Sequence, residues 1–331
     1  MRELGAAAVS LAVLVMSQAA PPLTKVDVSL GDVSINKVPQ LVAADQGIYA
    51  KYGLDVHQTI SAGAARAAAA SGVVVPEGYV GDAGAAPIQV GGGSPMIYGA
   101  VVNGRASRVI VLTQEPMVMD HVIAQPGIAA ISDLKGKRLG FSGVGAVTHF
   151  SALALARRLG WSPERDITLV GGAATVDALK QKKVDAILGS AMVIALARQA
   201  GFRDIGDLSQ YRIPVAGSGI MVDKSYLASN RDTVLRFLKA DIEATALMQR
   251  DRKVFDAALA KWFNITDPDT QAGMFAYVSK FERKPYPSVD GIKQIFVMYD
   301  SPEMRRHTPG EFYDSSLVAE LDKSGFLEQA K

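Results

Sequence analysis

A loop of small residues between a predicted strand and a predicted helix is the part of the chain best suited to bind a ligand. The strand covers 137–141, the helix opens at Thr148, and the residues between them are Ser142, Gly143, Val144, Gly145, Ala146 and Val147. The loop N–H groups and the first N–H groups of the helix point the same way, and the helix dipole favours negative charge there. Glycines also let the backbone approach a bound molecule closely. The loop therefore predicts a site for an anion or a polar ligand.

The same loop carries part of a dinucleotide fingerprint, Gly143-x-Gly145-x-x-Thr148. The third glycine is missing, and no Asp or Glu ends the next predicted strand to hold a ribose. Nucleotide binding is therefore not expected. His149, one residue into the helix, fits two interpretations, contact with an anion or packing against the protein, and the sequence leaves both open.

Residues that bind metals or act as nucleophiles are scarce. The chain has no Cys, which excludes disulfides, thiolate metal sites and Cys nucleophiles. The four histidines have no metal-ligand spacing; they are His57, His121, His149 and His307. There is no P-loop, no GxSxG elbow and no HExxH motif. We expect no metal, no cofactor and no catalytic residue.

The glycine loop belongs to a predicted βαβαβ unit. A strand at 167–170, a helix at about 175–182 and the apolar strand VDAIL at 184–188 follow it directly. Such a unit has a ligand-sized crevice at the carboxyl ends of its strands.

A second α/β unit precedes the first. KVDVSLGD alternates apolar and polar residues as a half-buried strand does. The stretch 38–53 predicts one helix, with Pro39 near its start and Gly53 just past its end. A strand at 54–60 and an Ala-rich helix follow. The stretch 79–84 is expected to end a third strand and to open a short helix.

The rest of the chain supplies two strands and a helical tail. RVIVLT at 108–113 predicts a fourth strand of the second unit, and a strand is expected around 219–222. A long amphipathic helix is predicted from Arg231 to about Arg250. The order of elements allows either a tandem or a discontinuous arrangement of two domains.

The amino terminus predicts export. Residues 1–20 place Arg2 before an apolar run that is short for a bilayer span, and small residues follow. We expect a signal peptide over 1–19, cleaved near Ala19. A lipid anchor would need a Cys at the cleavage point, so the exported chain is expected to be free in a periplasm-like compartment.

Size and charge exclude one class of partner. The 331 residues are 49% hydrophobic, which is ample for two domains of about 100–200 residues. The net charge of +2 gives no signal for nucleic-acid binding.

Four segments in the same order resemble solute-binding proteins of the nitrate, sulfonate and taurine type. They are VPQLVAADQGIYAKYGLDV, ISDLKGKRLGFSGVGAVTHF, DALKQKKVDAILGS and the ending EFYDSSLVAELDKSGFLEQ. The last is similar to the branch that binds the thiamine pyrimidine precursor. The resemblance implies an α/β fold, the bilobal type 2 periplasmic-binding-protein fold. Two α/β lobes, 24–113 plus 216–331 and 116–212, would be joined by two crossover strands, with the ligand cleft between them.

The resemblance also implies the residues of the cleft. They are Ser34 and Asn36 after the first strand, Asp82, Ala83 and Gly84 at the second strand–helix junction, Gln114 near the hinge, Ser142 to His149, and Ser190, Ala191 and Met192. Asp82 fits a helix cap as well as a ligand contact, and Asn36 fits a turn as well as a donor. The loop at 143–149 carries fewer hydroxyls than is usual in the family, which is more typical of an organic ligand than of an inorganic oxyanion.

The resemblance implies a receptor that captures a small anionic or polar organic molecule by lobe closure. Delivery to the membrane permease of an ABC importer is implied with it, and a monomer is expected. Two alternatives share the fold: a sensory ligand-binding lobe, and a pyrimidine-precursor enzyme. The enzyme is disfavoured because such enzymes use a Cys-rich motif and this chain has no Cys.

Overall fold

The computed structural model describes residues 22–330 apart from 33, 71, 72, 74 and 105. The expected signal peptide, 1–19, lies outside the described residues. Within them the strands are β1 (Thr24–Ser29), β2 (Leu54–Thr59), β3 (Ile88–Gly92), β4 (Arg108–Thr113), β5 (His121–Ala124), β6 (Arg138–Phe141), β7 (Thr168–Gly171), β8 (Ala186–Gly189), β9 (Arg203–Asp207) and β10 (Ser218–Asp223).

The α-helices surround these strands and form most of the carboxyl-terminal third. They are α1 (Val38–Asp45), α2 (Ile48–Lys51), α3 (Ala62–Ala70), α4 (Gly93–Val102), α5 (Val147–Arg158), α6 (Val176–Lys180), α7 (Ala191–Gln199), α8 (Lys224–Ser229), α9 (Arg231–Arg250), α10 (Arg252–Phe263), α11 (Pro268–Val278), α12 (Val289–Met298), α13 (Ser316–Lys323) and α14 (Phe326–Gln329). Short 3-10 turns lie at Ile35–Lys37, Glu77–Tyr79, Ile131–Leu134, Leu208–Tyr211, Met304–Arg306 and Pro309–Phe312. Among the described helices, none has the length and apolar character needed to cross a membrane.

The strands form two mixed sheets of the same design. The first has the order β2-β1-β3-β10-β4 and the second the order β7-β6-β8-β5-β9. In each sheet the fourth strand of this order, β10 or β5, runs antiparallel to both neighbours. The first sheet and its helices are called lobe one, and the second sheet and its helices lobe two. The arrangement is therefore bilobal and discontinuous, because β10 returns to lobe one after all of lobe two.

Two antiparallel segments carry the chain between the lobes. The N–H of Val118 donates to the carbonyl of Ile213 over 2.9 Å, and the N–H of Val215 donates to the carbonyl of Pro116 over 2.9 Å. Backbone hydrogen bonds satisfy these segments where neither sheet can do so. We call them the hinge segments, since each connects one lobe to the other.

The hydrophobic core of lobe two continues into two helices that lie outside its sheet. Phe150 on α5, Ile97 on α4, and Ile292 and Ile295 on α12 belong to one buried cluster, each with 0% exposure. Burying side chains of this size contributes roughly 1.5–3 kcal/mol each. The lobes therefore share apolar contact along one side of the cleft.

Several expected elements are confirmed by the structure. In β1, Val26 and Val28 are buried while Lys25 and Asp27 are exposed, as the alternation predicts. The long helix α9 begins at Arg231 and ends at Arg250, as expected.

Two expectations were wrong. The predicted helix over 38–53 is divided into α1 and α2, because Gly47 adopts a left-handed conformation at φ +66°. The stretch 79–84 neither ends a third strand nor opens a helix. It contains a single bridge, between Ile60 and Val80, and then a turn. The third strand is β3, eight residues further along, and the helix it leads into is α4.

Candidate functional site

Lobe one presents a cavity of about 260 Å³ where β1 and β3 end. Both strands are parallel, so their carboxyl ends meet at one edge of the sheet, which is where ligands bind in open α/β sheets. The residues that line the cavity come from the two connections that follow these strands: Gly31, Asp32, Lys37, Gln89, Val90, Gly91, Gly92, Pro95 and Met96. Gly91 and Gly92 leave the backbone accessible to a bound molecule at this edge.

A polar network around Lys37 forms one wall of this cavity. The Lys37 ammonium is 3.2 Å from Asp32 Oδ1 and donates to Asn36 Oδ1 over 2.8 Å. The Ser34 hydroxyl lies 2.6 Å from both Asp32 Oδ1 and Asn36 Oδ1. Lys37 is only 2% exposed, whereas the Asp32 side chain is 66% exposed. The network holds a buried cation at the end of β1, with its carboxylate partner facing solvent.

Two buried carboxylates lie where the chain first crosses between the lobes. Glu115 Oε1 accepts from the Tyr277 hydroxyl over 2.5 Å, and Asp120 Oδ2 accepts from the Ser151 hydroxyl over 2.6 Å. Burial raises the pKa of both carboxyls, and this outweighs the hydrogen bonds, which act in the opposite direction. Lys37 is close enough to lower the pKa of Glu115 in part. Lys37 therefore pairs with Asp32 and also lies near Glu115.

The glycine loop of lobe two has the predicted position between β6 and α5. Ser142 and Thr148 close it, since the Ser142 N–H donates to Thr148 Oγ1 over 3.0 Å and the two hydroxyls are 2.6 Å apart. Inside the loop the Ala146 N–H donates to the Gly143 carbonyl over 3.0 Å. Val144 is 66% exposed at the tip. The loop is thus a closed turn that ends at the first amide groups of α5.

This loop touches lobe one directly. The buried Ser94 hydroxyl at the start of α4 donates to the Gly145 carbonyl over 3.3 Å. A Cβ at Gly92 would be only 2.9 Å from Val147 Cγ2. The carboxyl end of β3 and the loop after β6 therefore meet across the boundary between the lobes, as two facing walls.

His149 packs among aromatic rings between the lobes. Its ring stacks on Phe141 at 4.4 Å between centroids and is 5.5 Å from the ring of Tyr299. Its Nδ1 accepts from the Gly145 N–H over 3.2 Å, and burial lowers the pKa of the imidazole. The ring therefore packs against the protein and helps to position the loop, and its contact with a ligand stays a prediction.

The start of α7 also lies at the boundary between the lobes. Ser190 precedes this helix, and Met192 packs against the hydrophobic core of lobe one. Ala191 is buried in the same core. At the same boundary Lys280 of lobe one is 3.4 Å from Asp207 of lobe two. Ser190, Ala191 and Met192 thus lie at the boundary between the lobes, and their contact with a ligand stays a prediction.

The structure places four expected cleft residues elsewhere. Asp82, Ala83 and Gly84 form a turn in which Asp82 Oδ1 accepts from the Gly84 N–H over 3.1 Å, and Gly84 lies at the opposite end of β3 from Gly92. Their expected place is taken by Gly92 and Ser94. The side chain of Gln114 is buried inside lobe one, against Asp241. It lines a separate cavity whose other residues all belong to lobe one.

Sequence reasoning missed Lys37, Ser94 and Glu115. Ser94 follows three glycines, a signal that resembles the glycine loop of lobe two. Lys37 lies one residue after the expected Asn36, but a lysine is most often exposed, and nothing in its neighbours indicates burial.

Solved structures with this fold cover most of the chain. The periplasmic nitrate-binding protein NrtA from Synechocystis has a TM-score of 0.68 at 14% identity, covering 92% of this chain and 90% of its own. The periplasmic aliphatic sulphonate binding protein SsuA from Escherichia coli has a TM-score of 0.63 at 18% identity, covering 85% and 88%. The desulfurization enzyme DSZB also has the fold, with a TM-score of 0.63 at 13% identity over 91% of this chain and 99% of its own. The chain therefore has the bilobal fold of periplasmic binding proteins, which is shared by at least one enzyme.

Sequence comparison adds a relative and a family. A protein of Brachyspira hyodysenteriae, provisionally named an ABC transporter periplasmic binding protein, is 25% identical over 197 residues. The match covers 59% of this chain, and the chain spans about half (54%) of that relative's length. The family profile described as NMT1/THI5 like matches residues 34–252, about two thirds of the chain. The chain belongs to the NMT1/THI5-like family.

Proposed function

We propose that this protein is a solute receptor, which binds a small polar organic molecule between its lobes and delivers it to the membrane permease of an ABC importer. The family, the fold and the transport name of the Brachyspira relative support this role. The observation that carries it is the pair of facing walls, in which Gly145 of lobe two meets Ser94 of lobe one beside the cavity at the ends of β1 and β3.

The ligand would contact both walls of the cleft. Lobe one offers Lys37 and Gly92 with the expected Ser34 and Asn36, and lobe two offers the loop from Ser142 to His149 together with Ser190 and Met192. We divide the lobes at 24–113 plus 216–331 and at 116–212. A molecule that binds both walls better than either alone increases the fraction of protein molecules in which the lobes are closed.

Charge at the cleft favours a polar organic ligand over an inorganic oxyanion. The ammonium of Lys37 already has Asp32 as its partner and lies near Glu115. His149 is a neutral hydrogen-bond acceptor. An oxyanion held without covalent bonds needs several unpaired donors or cations, because its desolvation is costly. An organic molecule with an apolar body and one polar or anionic end suits the glycine-rich walls better.

A binding role is favoured over catalysis. The chain has no Cys, so a thiolate nucleophile is excluded. In the part of the chain that the structure describes, no group of three His, Cys, Asp or Glu residues could hold a metal ion. We further propose that the protein works after export, in the periplasm, and as a monomer.

The test is ligand screening followed by scattering. A thermal-shift panel of nitrate, taurine, alkanesulfonates, aliphatic and aromatic carboxylates and pyrimidines should give stabilisation with one chemical class. A ligand at about 100 times its dissociation constant contributes about 2.7 kcal/mol. Small-angle scattering with that ligand should show a smaller radius of gyration than without it. A ligand that binds tightly but leaves the radius unchanged would contradict capture by lobe closure.

A further inference from the structure

A second cavity, of about 270 Å³, lies wholly within lobe one and apart from the cleft. It is enclosed by α9, by the segment around Arg283 and by the carboxyl-terminal helix α14. None of its lining residues belongs to lobe two. Its volume approaches the lower end of the range for small-molecule sites. The proposed function does not use it.

The inner wall of this cavity carries a buried carboxylate without a cation. Asp241 on α9 is 1% exposed, and it accepts hydrogen bonds from the side-chain amides of Gln40 and Gln114, the latter over 3.2 Å. It forms no ion pair with any described residue. Burying a carboxylate is costly unless it is paired, and two amide donors leave part of its acceptor capacity unused. Asp241 is therefore a strong acceptor that faces a cavity.

Two further polar atoms of the cavity lining have no hydrogen-bond partner among the described residues. They are Gln114 Oε1 and Thr245 Oγ1. Gln114 is 1% exposed and Thr245 is 6% exposed, and both line the cavity. Thr245 lies one helical turn after Asp241, so the two side chains share a face of α9. Buried polar groups are normally satisfied, and unpartnered ones need an explanation.

The three groups fit an ammonium ion. A protonated amine has three N–H donors and no acceptor, and the wall offers the Asp241 carboxylate, Gln114 Oε1 and Thr245 Oγ1. A charge-assisted bond to the carboxylate is about twice as strong as a neutral one. An anion in this position would instead be repelled by the Asp241 carboxylate.

The remaining lining is mostly apolar, and its polar members are Gln249, Arg250 and Arg283. Ala246, Pro285 and Leu327 are among its apolar residues. Arg283 is exposed and forms no ion pair with the described residues. A ligand whose ammonium is inside would therefore place its outer end near a guanidinium, which favours a carboxylate there.

We propose that this cavity of lobe one binds a small amino-carboxylate, with its ammonium on Asp241, Gln114 and Thr245 and its carboxylate at Arg283. The short carbon chain between the two charges lies against Leu327 and Pro285. The buried oxygen atoms are then satisfied by the ligand, and each charge of the ligand has a partner of opposite sign.

The test is calorimetric titration of the purified full chain with three probes of equal length. They are 5-aminopentanoate, pentylamine and pentanoate. We expect 5-aminopentanoate to bind best, pentylamine more weakly, and pentanoate not at all up to about 10 mM. A shorter amino-carboxylate, 4-aminobutanoate, tests the fit of the carbon chain. Pentanoate that binds as well as 5-aminopentanoate would overturn the proposal, as would no binding of either amino-carboxylate.

Variants assign the binding to this cavity. Asp241→Asn and the isosteric Thr245→Val should each weaken 5-aminopentanoate binding by about tenfold or more. Arg283→Gln should weaken binding of 5-aminopentanoate but not of pentylamine, since only the first has a carboxylate. Ala246→Phe fills the cavity and should abolish both. Binding that survives Ala246→Phe with unchanged affinity would overturn the assignment.

A cleft variant separates this site from the proposed receptor function. Gly145→Ala disturbs the glycine loop of lobe two, where the added Cβ would be 2.4 Å from Tyr98 Cδ1, and should leave the affinity for 5-aminopentanoate unchanged. If that variant alone removes binding, the probe occupies the cleft and the lobe-one site is wrong. Failure of all probes would leave the cleft proposal intact, because that rests on a different panel and on scattering.

Discussion

Gly145 of lobe two lies against the aromatic ring of Tyr98 in lobe one, so closely that a Cβ on Gly145 would be 2.4 Å from Tyr98 Cδ1. The glycine also has φ +84°, a conformation that other residues rarely adopt. Both features require glycine at this position. The contact between the lobes therefore depends on a residue with no side chain, in the centre of the loop that the sequence indicates as a ligand site.

Gly145→Ala should weaken the contact between the lobes. The added methyl group overlaps the Tyr98 ring, and the backbone conformation becomes strained, so the free energy of unfolding should fall by about 1–3 kcal/mol. Scattering should show a larger radius of gyration as the loop moves away from α4. The matched control is Gly143→Ala, two residues earlier, where a Cβ meets no atom within 4 Å and φ is not positive. Equal behaviour of the two variants in urea unfolding would show that the Gly145 contact does not hold the lobes together.

Regular periodicity made some elements predictable. In α9 the buried residues Val234, Phe237, Leu238 and Met248 follow the three- and four-residue spacing of an amphipathic helix. β1 follows the two-residue spacing of a half-buried strand. In both elements the local pattern and the tertiary packing agree, so the sequence was sufficient to predict the element.

β3 could not be predicted, because its local sequence pattern is not typical of a strand. Its sequence, Ile-Gln-Val-Gly-Gly, has two apolar residues followed by glycines, which are depleted in strands. The element is fixed by its neighbours, since Ile88 pairs with Val28 on one side and with Val222 on the other. Because the junction after β3 was misplaced, the cleft residues were sought at Asp82 and Gly84 instead of Gly92 and Ser94.

The directions of polar side chains could not be predicted from the sequence either. Gln114 follows β4 as expected, yet its amide turns to Asp241, a residue 127 positions away along the chain. A carboxylate on the apolar stripe of α9 was a visible signal, since residue 241 falls on the same face as Phe237 and Leu238. Its partners came from α1 and the hinge, and no local pattern indicates them.

The stability of the protein should decrease as the pH rises toward neutrality, in part because of Asp241. Burial raises the pKa of Asp241 from 3.8 to about 7, although its two amide hydrogen bonds lower it. Between these values the folded state binds a proton that the unfolded state has released. A stabilising contribution of up to roughly 4 kcal/mol is therefore present at about pH 4. It is lost as the pH rises to about 7.

Asp241→Asn tests this linkage, since the amide cannot ionise. Urea unfolding at several pH values should give a wild-type free energy of unfolding that falls, relative to the variant, as the pH rises through this window. Groups other than Asp241 contribute equally to both proteins and cancel in the difference. A difference that is constant with pH would mean that Asp241 titrates alike in the folded and unfolded chains.

Ser151→Ala should destabilise the hinge end of lobe two. Ser151 is fully buried and donates to the buried Asp120 over 2.6 Å, so the variant leaves a carboxylate without that donor. A hydrogen bond to a charged group contributes about 1.5–3 kcal/mol, and a loss of about 2 kcal/mol is expected in urea unfolding near neutral pH. The loss should be smaller in acid, because burial already raises the pKa of Asp120 and the protonated form needs the donor less.

Ser162→Ala is the matched control for this variant. Ser162 donates to Glu164 over 2.7 Å, a similar hydrogen bond, but both groups are exposed to solvent. Water replaces the hydroxyl there, so no measurable change in unfolding is expected. A loss of the same size in both variants would contradict the role of burial at Asp120.

His149 should be neutral at physiological pH and should act through its shape and its acceptor atom. Burial lowers the pKa of the imidazole below 6.5, and the Gly145 N–H donates to Nδ1, which assigns the proton of the neutral ring to Nε2. Stability that depends on the neutral ring is present above 6.5 and is lost as the pH falls through the lowered pKa. A titration of the ring by nuclear magnetic resonance should place this pKa below 6.5.

His149→Asn keeps an acceptor near the Nδ1 position and should retain ligand binding at neutral pH, whereas His149→Ala removes the acceptor and should weaken ligand binding. A pKa above 6.5, or equal binding by the Asn and Ala variants, would show instead that His149 meets the ligand as a cation or plays no part in holding the loop.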